Sequence, residues 1–170
     1  ALKNRINSEL ANDLGNYLSR TAAMLNKYFQ GNVPARCEPP ADIAETINKS
    51  CSDLHEAVNA VNFSGALEAV WSIITRANQL VEESQPWALA KSEDPQDRKK
   101  LENTMYILPE LGRIISILLF PFMPEKMEYM CRSLCGKGPE DFTIQSAVKW
   151  GCIEPGSKIE KTSPLFPRLQ

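Results

Sequence analysis

Hydrophobic residues recur every third or fourth position along most of the chain's first 135 residues, and prolines and glycines interrupt the pattern. This spacing places apolar side chains on one face of a helix. It predicts helices over residues 5–29, 41–58, 64–84, 95–119 and 124–134. Because the connections between them are short, the sequence predicts an all-α fold in which four or five antiparallel helices form a bundle over residues 1–135.

Helix-breaking and helix-capping residues fix the limits of these segments. Gly31 ends the first helix, and Asn62 or Ser64 caps the third. Pro86 cannot continue the third helix without losing a backbone hydrogen bond, so Trp87 falls on a forced turn or on a new short helix. Asp94 is the expected cap of the fourth helix, and Pro109 is expected to kink that helix.

The pattern changes after residue 136. Helical spacing gives way to short β-branched pieces, over residues 142–148 and 153–159, that are separated by glycine and proline. We therefore predict that residues 136–170 form an extended C-terminal segment that packs back on the bundle.

A polar stripe runs along the first helix. Asn12, Asn16 and Arg20 recur at intervals of four residues, so they lie above one another on one face. Three leucines each lie two residues before a stripe member, about 200° round a helix of 3.6 residues per turn. The leucines then face the core, and the two carboxamides and the guanidinium face outward.

The stripe and Trp87 each have two interpretations. A solvated helix face also shows polar residues at every fourth position, although asparagine is a poor helix former and two in mid-helix need a reason. An internal hydrogen bond would supply one. Trp87 either fills a gap in the core, as Trp71 is expected to do, or exposes a ring on which an unpaired base stacks.

Composition limits the partners that the chain can have. Its net charge is −2, and nonspecific affinity for nucleic acids comes from dense lysine and arginine. A contact with RNA must therefore be local and selective, and DNA is not expected as a partner. The most apolar stretch, residues 107–123, carries charges and prolines and is too short to cross a bilayer. We expect a cytoplasmic protein with no membrane partner.

Candidate catalytic or metal-binding groups are few. The five cysteines are an odd number without framework spacing, which favours a reducing compartment. Cys131 and Cys135 lie four residues apart, but structural zinc usually needs four ligands, and His55 is the only histidine. Phosphate-binding loops, nucleophile elbows and catalytic triads are missing from the sequence. The chain is therefore predicted to hold no metal or cofactor and no complete active site.

Arg113 is a charge within an apolar segment. It either forms an ion pair inside the bundle or contacts a phosphate, and the sequence favours neither interpretation.

Four blocks of sequence resemble a known family. They are ELANDLGNYLSR at 9–20, QPWALAK at 85–91, LFPFMP at 119–124, and PG at 155–156 followed by PLFPR at 164–168. In this order they are similar to the C-terminal anticodon-binding domain of methionyl-tRNA synthetases. The first block is shared in part with other class I synthetases. The assignment to the methionine enzyme therefore depends mostly on the Pro-Trp turn at 86–87 and on the PLFPR block at 164–168.

The resemblance implies a function and a set of site residues. A helical bundle of this family takes the anticodon loop of tRNA-Met and selects CAU. By resemblance, Trp87 stacks on the first anticodon base, a cytosine, and Asn16 and Arg20 contact anticodon bases. Asn12 supports the same face, and Arg113 matches a position near the anticodon.

The resemblance also implies chemistry outside this chain. A full-length synthetase of this family ligates methionine to tRNA with ATP and Mg²⁺ in a separate catalytic domain. By resemblance, this chain is expected to be a piece of such a parent protein, with the catalytic domain as its partner. The chain alone is expected to have no activity. Two alternatives remain open at this point: the same domain of another class I synthetase, and a helical protein-interaction module that does not bind RNA.

Overall fold

A computed structural model describes residues 6–136, 143–159 and 162–166. The all-α prediction is confirmed, since these residues form helices and no strand, with one isolated bridge between Asn32 and Lys158. A π-helix spans Ile6–Gly15, and seven α-helices follow: α1 (Asn16–Phe29), α2 (Ala41–Asn59), α3 (Phe63–Ser84), α4 (Pro86–Leu89), α5 (Pro95–Leu119), α6 (Pro124–Cys135) and α7 (Ile144–Val148). Arg5, Phe142 and residues 167–170, on which some predictions fall, lie outside the described residues.

The first predicted helix has two parts. Residues 6–15 wind as a π-helix, with a wider turn than the α-helix that α1 then continues. Helix α1 ends at Phe29, as predicted, and Gln30 and Gly31 after it take left-handed conformations with φ of 55° and 80°. The N–H of Gln30 donates to the carbonyl of Leu25, which satisfies a carbonyl at the helix end.

Two predicted caps are confirmed by hydrogen bonds. The side chain of Asn62 accepts from the N–H of Gly65 at 3.0 Å and begins α3. Asp94 accepts from the N–H of Gln96 at 2.8 Å and begins α5. Between these helices, Gln85 turns the chain with φ of 45°, so that α4 starts at Pro86.

Helix α5 is the centre of the bundle. Every residue from 104 to 119 is buried, as expected for a helix that is covered on all sides, and the helix runs through Pro109 without a break. Gly112 allows close packing, because a Cβ there would clash with Leu134 of α6. Tyr17 of α1 donates its hydroxyl to the carbonyl of Leu108, and burial raises the pKa of this phenol, which keeps the proton on the donor.

The tail differs in part from the prediction. An extended piece over 142–148 is wrong for residues 144–148, which form α7. The side chain of Thr143 accepts from the N–H of Ser146 at 3.1 Å, and Ala147 is buried, so a cap and packing override strand propensity. Further on, Ile159 donates its N–H to the carbonyl of Gly31 at 2.8 Å. The described part of the tail thus lies against the helices.

Candidate nucleic-acid interface

Two members of the predicted stripe lie on one face of α1. Asn16 is the first residue of α1 and is exposed, and Arg20 follows one turn later with 38% of its side chain exposed. Since residues four apart on an α-helix differ by about 40° in direction, these two side chains share a face. An amide that both donates and accepts and a planar guanidinium are therefore presented together.

Asn12 does not continue this geometry. It is half-buried and lies in the π-helix, where the wider turn removes the constant α-helical spacing on which the predicted stripe was based. Its neighbour Asp13 holds the helix in place instead. The indole N–H of Trp71 donates to the Asp13 carboxylate at 3.2 Å, and the Asn78 side-chain amide donates to the Asp13 carbonyl at 3.3 Å.

Trp87 lies on a turn that is anchored on both sides. Pro86 is buried, Leu89 packs against the core, and Trp87 between them is 40% exposed. A proline at the start of a helix has its φ fixed in advance, which favours one position of this short helix. The ring therefore does not fill a core gap, and it is free to offer part of its surface.

An ion pair brings Arg20 to the same end of the bundle as Trp87. Arg20 donates to the Glu82 carboxylate at 2.7 Å, and Glu82 lies in the last turn of α3, five residues before Trp87. The sequence did not predict this contact, because Glu82 and Arg20 lie 62 residues apart in the chain. The order of the contacts, Asp13 with Trp71 and Arg20 with Glu82, shows that α1 and α3 run in the same direction.

The surface beside Arg20 is acidic. A groove of about 340 Å³ is lined by Asp13, Glu82, Glu83 and three polar residues of α3. Glu83 lies 3.1 Å from the guanidinium of Arg76. Each of the three carboxylates therefore has a positively charged or hydrogen-bonding partner, and the groove does not repel an anion as strongly as its composition suggests.

The structure does not place Arg113 at this face. Only 7% of the residue is exposed, and its guanidinium donates to Glu110, which is completely buried, at 2.7 Å. It also donates to the carbonyls of Ser146 and Lys149. The predicted contact near the anticodon is therefore corrected to an internal ion pair, and Arg113 is left out of the proposed site.

The buried ion pair fastens the tail to α5. Glu110 accepts from the backbone N–H groups of Cys152 and Ile153, each at 3.1 Å, while Arg113 supplies the matching donors to two carbonyls of the same segment. Tyr106 adds a hydrogen bond to the carbonyl of Ile153 at 3.0 Å. A charge buried with such partners avoids most of the cost of losing water.

Neither a metal-binding cluster nor a membrane-spanning helix occurs in the described ranges. No cluster of three or more histidine, cysteine or acidic side chains there is arranged to hold a metal ion. The Sγ atoms of Cys131 and Cys135 lie 3.9 Å apart, and all five cysteines are free thiols. None of the helices described is both long enough and apolar enough to cross a bilayer.

The sequence is similar to those of bacterial methionine–tRNA ligases. The profile of a family described as the anticodon-binding domain of methionyl tRNA ligase matches residues 32–170. Methionine–tRNA ligase 1 of Bacillus anthracis is 42% identical over 171 residues, and methionine–tRNA ligase of Caldanaerobacter subterraneus subsp. tengcongensis is 39% identical over 172. These matches cover 98% and 99% of this chain but 26% of each relative.

Solved structures with the same fold come from Mycobacterium tuberculosis. The free form of its methionyl-tRNA synthetase superposes with a TM-score of 0.80 at 33% identity, over 99% of this chain and 34% of that one. The form bound by methionyl-adenylate has a TM-score of 0.78 at 32% identity, over 96% of this chain and 32% of that one.

The fold defines a class: an all-α helix-bundle domain, with Asn16 and Arg20 on one face of α1 and Trp87 exposed on the turn after α3. Within this class the chain belongs to the family of anticodon-binding domains of methionyl-tRNA ligases. It spans about a quarter of the length of the curated relatives it matches.

Proposed function

We propose that this chain binds the anticodon loop of tRNA-Met and selects CAU. The observation that carries the proposal is the exposure of Trp87 on an anchored turn, at the end of α3 to which Glu82 holds Arg20. Sequence-specific recognition of RNA mostly uses unpaired bases that stack on aromatic rings and hydrogen-bond along their edges. The exposed indole, amide and guanidinium supply these functions.

The free energy of binding comes from contacts made after the loop opens. Unstacking a base costs a few kcal/mol, and stacking on an aromatic ring returns about 1–3 kcal/mol. In our proposal, Trp87 takes the first anticodon base, Asn16 and Arg20 read base edges, and Asn12 supports the helix that carries them. Selectivity then depends on shape and hydrogen bonding, which is compatible with a net charge of −2.

The parent protein is proposed to be a cytoplasmic methionine–tRNA ligase. The related M. tuberculosis enzyme is described in a complex with methionyl-adenylate, and an adenylate intermediate implies ATP as a substrate, with Mg²⁺ as its usual companion. This chemistry belongs to the catalytic domain outside these residues. The role of the present chain is to recognise the tRNA that the catalytic domain then charges.

The proposal is tested by substitutions on the exposed face. Asn16→Ala and Arg20→Gln should each weaken binding of a CAU anticodon stem-loop by about fivefold to thirtyfold, since each removes a hydrogen bond worth about 1–2 kcal/mol. Fluorescence anisotropy with a labelled stem-loop measures the affinity. Asn48→Ala, an exposed asparagine of α2, is the matched control. Unchanged affinity in both test variants would rule out this face as the reader.

The Arg20–Glu82 ion pair predicts a gain of affinity. Both side chains are exposed, so the pair contributes at most about 1 kcal/mol, and RNA must compete with Glu82 for Arg20. Glu82→Gln should therefore raise affinity for the stem-loop by about twofold to fivefold in the same assay. Glu83→Gln removes an equal charge but leaves Arg20 paired, and its effect should be smaller. Equal gains in the two variants would point to general charge repulsion instead.

A further inference from the structure

A second cavity borders the proposed reading face, and nothing so far assigns it a ligand. It has a volume of about 420 Å³, within the range of ligand pockets, and lies between the first helical segments and the tail. We propose that it is a slot for another unpaired base of the same RNA loop, which stacks on Phe166. The inference rests on the proposed function and adds a second aromatic platform to it.

The walls of the slot suit a flat, aromatic ligand. One wall carries small side chains, Ala11, Gly15 and Ser19, and the opposite wall carries Pro164, Leu165 and Phe166. A Cβ added to Gly15 would lie 4.0 Å from Cδ2 of Phe166, so this edge of the ring is in contact with the helix, and a base stacks on the part of the ring that faces the cavity away from Gly15. The amide of Asn16 stands at the rim, where it can donate to or accept from a base edge.

The slot and Arg20 lie on opposite sides of Asn16. At about 100° per residue, Ser19 lies about 60° to one side of Asn16 on α1, and Arg20 lies about 40° to the other. Ser19 faces the slot, while Arg20 faces Glu82 and the end of α3. A loop that contacts Arg20 can therefore reach the slot by passing over Asn16.

The tail holds Phe166 in a defined position. Leu165 is 1% exposed, and the N–H of Ser163 donates to the hydroxyl of Tyr129 on α6 at 2.8 Å. The ammonium of Lys126 lies 5.7 Å from the centre of the Phe166 ring. This exposed cation beside the ring offers a partner to the phosphate of an entering nucleotide, which the acidic groove on the other side of α1 does not.

The experiment compares three leucine variants of the 170-residue chain, since leucine keeps apolar bulk and removes stacking. Phe166→Leu should weaken CAU stem-loop binding by at least about fivefold. Phe29→Leu is the matched control, because Phe29 is also half-buried beside a cation, Arg98, at 4.6 Å, and should bind normally. Stem-loops that carry the fluorescent base 2-aminopurine at a single loop position show which base stacks on which ring, since stacking quenches its fluorescence. Phe166→Leu should relieve the quenching at one loop position, and Trp87→Leu should relieve it at a different one.

The outcomes separate the two proposals. If Trp87→Leu weakens binding while Phe166→Leu keeps wild-type affinity and quenching, the slot is not a base site and the proposed function stands. If Phe29→Leu loses as much affinity as Phe166→Leu, the loss reports general destabilisation and the slot proposal is likewise overturned. If the wild-type chain does not bind the stem-loop, both proposals fail.

Discussion

Arg113→Met should lower the free energy of unfolding by about 3–5 kcal/mol. The substitution leaves the carboxylate of Glu110 completely buried without its cation, and breaking one side of a buried ion pair costs about this much. It also removes the donors that hold the carbonyls of Ser146 and Lys149. Urea denaturation followed by circular dichroism measures the change.

Arg132→Met provides the control for this prediction. Arg132 pairs with Glu128 on α6, four residues away, but both side chains are about half exposed or more. Its loss should cost less than about 1 kcal/mol, because exposed pairs contribute little. Similar values for the Arg113 and Arg132 variants would contradict the account of the buried pair. Replacing Glu110 and Arg113 together by leucine and methionine should recover part of the lost stability, since no buried charge then remains.

Trp87→Ala should weaken binding of the CAU stem-loop by about 5- to 150-fold, which corresponds to one lost stacking contact of about 1–3 kcal/mol. Because Trp87 is 40% exposed, the free energy of unfolding should fall by much less than it would for a core tryptophan, for which about 3–5 kcal/mol is usual. Anisotropy titration and urea denaturation of the same preparation give the two quantities.

Trp87→Phe is the matched variant, since it keeps an aromatic face at the same position. It should retain most of the affinity that the alanine variant loses. Unchanged affinity in Trp87→Ala, together with a loss of several kcal/mol in stability, would instead assign the ring to core packing and remove it from the proposed site.

Local signals predicted most of the fold. Asn62 and Asp94 carry the information for their helix starts in their own side chains, and both caps form. The helical spacing of apolar residues likewise identified the helices of the bundle. The π-helix over Ile6–Gly15 has no such local signal, and α7 depends on the burial of Ala147 against the bundle.

The candidate site was less predictable, because its partners are far apart in the chain. Glu82 lies 62 residues from Arg20, so only the folded structure joins them. Arg113 is different, since Glu110 precedes it by three residues on an apolar helix, a spacing that brings side chains together. That spacing was the available signal for an internal ion pair.

The central claim is that this domain distinguishes CAU from other anticodons, and one comparison tests it most directly. The wild-type chain is titrated with two stem-loops that differ only in the first anticodon base, cytosine in one and uracil in the other. The account predicts at least about tenfold tighter binding of the cytosine loop, a difference of about 1.4 kcal/mol. Equal affinities for the two loops would contradict it.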